Sequence, residues 1–60
     1  MPGPEQEDHR RAEQQYRQYA DELFRIAEQT TEQEERERLL RMAEAWLQLA
    51  AKMKELSGGA

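Results

Sequence analysis

His9 is the only histidine in the chain, and Glu5 and Glu13 stand four residues to either side of it. On a helix this spacing lines the three side chains along one face, where an imidazole and two carboxylates could hold a divalent cation. Carboxylate-bridged metal bundles use Glu-x-x-His, however, and the residue three before His9 is Gln6. The residues therefore read as a solvent-exposed histidine in the first turns of a helix, with no metal site and no cofactor. The hydroxyl side chains are Thr30, Thr31, Ser57, Tyr16 and Tyr19, and none is spaced to pair with His9 as nucleophile and base. Phosphate-cradling glycine motifs are absent. Carboxylates alternate with arginines on positions open to water, which is poor ground for the raised pKa of a general acid. No catalytic residue is expected, and the chain reads as a non-enzyme.

Tyr16, Tyr19 and Trp46 could stack on nucleic-acid bases, since aromatics beside arginines do so elsewhere. They fall on the apolar face described below, where packing claims them. Charge also disfavours nucleic acid and acidic membranes as partners, because the formal net charge is -4. Acidic residues precede basic ones by four in Glu7/Arg11, Glu13/Arg17, Asp21/Arg25, Glu32/Arg36, Glu34/Arg38 and Glu37/Arg41. In that orientation each pair supports its helix by ~0.2–0.5 kcal/mol.

The elements carrying these residues follow from apolar periodicity. Ala12, Tyr16, Tyr19, Leu23 and Ile26 recur at three- and four-residue spacing, as do Leu39, Met42, Trp46, Leu49, Met53 and Leu56. Each set lines one side of an amphipathic helix. The predicted organisation is a disordered segment 1–4, a helix 5–29, a turn at 30–31, a helix 32–56 and a flexible tail 57–60. Thr31 and Glu34 have the spacing of a capping box for the second helix, and Gly58 suits a left-handed cap at its end. A connection this short folds the helices into an antiparallel hairpin. No Gly or Pro enforces the break, so one continuous rod in a parallel coiled coil is the competing arrangement.

A second apolar stripe lies beside each first one: Ala20, Phe24 and Ala27, then Leu40, Ala43, Leu47 and Ala50. The first stripes are expected to form the hairpin core and the second to form an interface. A face this wide belongs to a helix with more than one neighbour, so the expected fold class is all-α, a two-helix hairpin doubled into a four-helix bundle as a homodimer. Length points the same way. A chain of 60 residues buries only roughly 60% of its unfolded surface, and without cysteine it has neither disulfide nor thiolate zinc to compensate. Another helical protein could cover the stripe instead of a second copy.

Met1-Pro2-Gly3-Pro4 followed by Glu5, Glu7 and Asp8 has neither the basic start nor the apolar core of a secretory signal, and nothing resembles a membrane span. A cytoplasmic location is the expectation.

From about Ala12 to Ala50 the chain resembles a group of short uncharacterised bacterial proteins, frequent in alphaproteobacteria, that form helical hairpins. The resemblance is carried by Tyr16, Ala20, Leu23, Ala27-Glu28-Gln29-Thr30-Thr31, Glu34, Arg36, Arg38-Leu39-Leu40, Met42-Ala43-Glu44, Trp46 and Leu49-Ala50. Members often have Asp-Pro after the threonine, where this chain has Glu32-Gln33. It implies architecture and a bacterial cytosolic setting, and carries over no functional residue. In architecture alone the chain is also similar to the Rop-type copy-control hairpins, which dimerise and recognise paired RNA loops. That analogy implies an alternative function, RNA binding by the polar face of helix one through Gln14, Arg17, Gln18 and Arg25, joined by Arg10 or Arg11. The reading preferred here is a small protein-protein interaction module, an adaptor or regulator, acting as a helical homodimer.

Overall fold

Alanine and long unbranched polar residues (Glu, Gln, Arg) fill both halves of the chain, joined by leucine and methionine chiefly in the second, and these types lose least on entering a helix. The computed structural model describes residues 4–58, with the side chains of residues 7–58. It contains two α-helices of 26 residues each, α1 (Pro4–Gln29) and α2 (Gln33–Gly58), and no strand among the described residues. They pack along their length as a hairpin with Cα extents of 48 × 15 × 11 Å. The continuous rod is thereby excluded.

The element bounds differ from expectation at three points. Pro4, placed with the disordered segment, begins α1, where its missing N–H costs no helical bond. The second helix begins at Gln33 rather than Glu32, after a connection of three residues. It continues through Ser57 and Gly58, which were expected in the tail. Ser57 is buried, and its hydroxyl donates to the Lys54 carbonyl at 3.1 Å. Gly58 is helical and adopts no left-handed cap. The remaining residues of both expected terminal segments, 1–3 and 59–60, lie outside the described residues.

Thr30, rather than a Thr31–Glu34 capping box, organises the connection. Its hydroxyl donates to the Ile26 carbonyl at 2.7 Å and its N–H to the Ala27 carbonyl at 3.2 Å. Two carbonyls orphaned at the end of α1 are thus satisfied by one residue. The Thr30 carbonyl in turn accepts Nε and Nη2 of Arg36 at 3.2 and 3.0 Å, which ties the end of α1 to the second turn of α2. The Arg36 N–H bonds the Glu32 carbonyl at 3.0 Å, so Glu32 is the N-cap. Arg36 spent in this way makes no ion pair with Glu32.

The seam between the helices is built on small residues. Ala20 and Ala27 are seven residues apart, as are Ala43, Ala50 and Ser57. Seven residues make almost two full turns, so each set falls on one line along its helix. These five are the buried residues among those described, with Ala20 and Ala43 at 0% and Ala27 and Ala50 at 2% exposure. Small side chains at a contact allow helix axes to approach closely. Larger groups close the seam from its flanks: Tyr16, Leu23, Phe24, Leu39, Leu40, Trp46 and Met53 are half-buried, as is Ala12. Trp46 meets both tyrosines of α1, with ring centroids 5.2 Å from Tyr16 and 4.9 Å from Tyr19.

Candidate interaction surface

Five large apolar side chains stand on one side of this seam. Tyr19, Ile26, Met42, Leu49 and Leu56 are all exposed, between 41% and 50%. Each immediately precedes a buried seam residue: Ala20, Ala27, Ala43, Ala50 and Ser57 in turn. One residue is about 100° of helix rotation, and in an antiparallel pair the positions preceding the seam on both helices turn to the same side. The five therefore share one broad face of the hairpin. A hollow of about 240 Å³ lies among Tyr19, Leu23, Ile26, Met42 and Trp46, with Glu22 at its rim.

This arrangement corrects the assignment of the two stripes. Ala20, Ala27, Ala43 and Ala50, expected at an interface with another chain, are the centre of the hairpin itself. Tyr19, Ile26, Met42, Leu49 and Leu56, expected in its core, are outside. The physical reason is the distance of approach: helices meet most closely where side chains are smallest, and this rotates the larger neighbours outward. Of the remaining expected interface residues, Phe24 and Leu40 are half-buried and Leu47 is 39% exposed on the opposite side of the seam. Phe24 and Leu40 line a groove of about 490 Å³ there with Ala27, Glu28 and Arg36. Ser57 had no place in the expected core; its seven-residue spacing from Ala50 was the available signal.

The residues singled out for chemistry do not converge. Glu13 pairs with Arg17 at 3.0 Å, and it is the one ion pair among the described residues, so the other five expected pairs are open. Gln14, Arg17, Gln18 and Arg25 are exposed on α1. Asp21 and Glu22 lie with Gln18 and Arg25 around one shallow hollow, so that surface is mixed in charge. No group of three metal-ligating side chains comes together among the described residues. His9, expected to be solvent-exposed, is instead half-buried, and its buried Nδ1 has no hydrogen-bond partner among the described residues; the Glu5 side chain lies outside them. No helix is long and apolar enough to cross a membrane.

No family model, curated protein or solved structure matches the chain.

Proposed function

We propose that the protein is a small non-enzymatic interaction module, an adaptor or regulator, that acts as a homodimeric four-helix bundle. The observation that carries this reading is the row of Tyr19, Ile26, Met42, Leu49 and Leu56 on one face. Contiguous apolar side chains at this exposure cost solvation unless something covers them. The hairpin is also poor in core, because no large side chain among the described residues is fully buried. A second hairpin laid face to face supplies the missing burial, and two-fold symmetry lets one apolar row cover another. With the two rows joined, the grooves beside Phe24, Leu40 and Leu47 remain open on both outer sides for a partner protein. A bacterial cytosolic setting belongs to the same proposal and rests on the resemblance alone.

The test compares two leucines on opposite sides of the seam. Light scattering across a concentration series gives a dimer for the unaltered protein and for Leu47→Glu, and a monomer for Leu49→Glu. A monomeric parent, or a Leu49→Glu protein that stays dimeric and helical, refutes the interface.

A further inference from the structure

The apolar row is bordered by charge of opposite sign on its two edges. The helical positions just outside the row are Asp8, Gln15, Glu22 and Gln29 on α1, and Arg38, Ala45 and Lys52 on α2. All are exposed, and none of the four charged ones is within ion-pair distance of an opposite charge among the described residues. Asp8 and Glu22 are separated by the same number of residues as Arg38 and Lys52. An acidic edge and a basic edge of equal spacing can therefore satisfy both pairs in a single antiparallel register.

Two hairpins can join these faces about a two-fold axis in two ways. With the axis across the helices, α1 lies on α1 of the second copy, and Asp8 and Glu22 meet their own kind. With the axis along the helices, α1 lies antiparallel on α2 of the second copy, and the connections at Thr30–Glu32 share one end of the bundle. The second arrangement brings Glu22 to Arg38 and Asp8 to Lys52. Contact of Tyr16 and Tyr19 with Trp46 sets the level of α2 beside α1, and an axis along the helices keeps that level between copies. Each acidic residue then stands about 5 Å along the axis from its basic counterpart, within reach of a long side chain.

Resting on the homodimer proposed above, we infer that a second copy docks on this face with its connecting loop at the same end, α1 against α2, directed by the Asp8/Glu22 and Arg38/Lys52 edges. Like charges opposed across an interface select against a wrong arrangement more than opposite charges add affinity.

The chain has no cysteine, so Thr31→Cys, at an exposed loop position, carries a single spin label on each copy. Pulsed dipolar spectroscopy on the full-length dimer is expected to give a separation within about 20 Å. The crossed arrangement gives about 35 Å, from ~12 residues of rise on each side of its axis. Light scattering on the same labelled sample separates the two readings. A monomer ends the homodimer proposal, whereas a dimer with the long distance leaves it standing and overturns the orientation. Charge exchange gives the second test: Glu22→Arg weakens the dimer about tenfold, and adding Arg38→Glu restores it. A dimer indifferent to both substitutions overturns the role of the edges.

Discussion

Tyr19 and Trp46 meet across the hairpin seam with ring centroids 4.9 Å apart and planes tilted at 60°, while Tyr19 remains 41% exposed. Such tilted pairs are favoured by the quadrupoles of the rings. The contact joins inside to outside: Trp46 closes the seam, and Tyr19 carries the same aromatic surface to the exposed row.

Replacing Trp46 by alanine removes both inter-helix ring pairs. The expected cost is about 3 kcal/mol, the low end for a buried aromatic because the indole is only half-buried. Urea denaturation monitored by circular dichroism measures it at fixed protein concentration. A midpoint unchanged from the parent would show that the rings contribute nothing to the seam.

Ala43→Leu tests whether close approach organises the hairpin. Ala43 is fully buried between the helices, so an added isobutyl group forces them apart and costs about 1–3 kcal/mol. The same change at the exposed Ala51 is expected to stay within about 0.5 kcal/mol. Equal effects at the two sites in thermal melts would argue against the alanine seam.

The Arg36 guanidinium holds the Thr30 carbonyl through two nitrogens. Arg36→Lys keeps the charge and loses the planar fork, so it is expected to destabilise nearly as much as Arg36→Met, about 1 kcal/mol at this exposed site. Amide hydrogen exchange at the end of α1 should quicken in both variants. A lysine variant as stable and as protected as the parent would reduce Arg36 to a surface charge.

Gly58 is helical and a Cβ there meets nothing within 4 Å. Gly58→Ala is therefore expected to stabilise by up to about 0.5–1 kcal/mol, through the smaller entropy lost on folding. A lowered melting temperature would mean that the residue leaves the helix in solution for a backbone conformation that alanine resists.

The two helices and the break between them were legible from the chain because their causes are local. Three- and four-residue apolar spacing, helix-favouring residue types and two threonines at a change of pattern act within a turn or two of the residues concerned. The choice between two adjacent apolar stripes is not local. Ala20 and Tyr19, or Ala43 and Met42, differ by a single step around the helix, and either stripe has the period that an amphipathic face requires. Hydrophobicity favours the stripe with the larger side chains, whereas packing favours the one that lets the backbones come closest. That contest is decided only when a second helix is present to be approached. The seven-residue recurrence of Ala20 with Ala27, and of Ala43 with Ala50 and Ser57, was in the chain throughout. It acquired meaning in the tertiary structure, where burial of these five small residues turned Tyr19, Ile26, Met42, Leu49 and Leu56 outward. Sequence by itself determined that this protein is a pair of amphipathic helices; the separation at which they pack decided which face it offers to anything else.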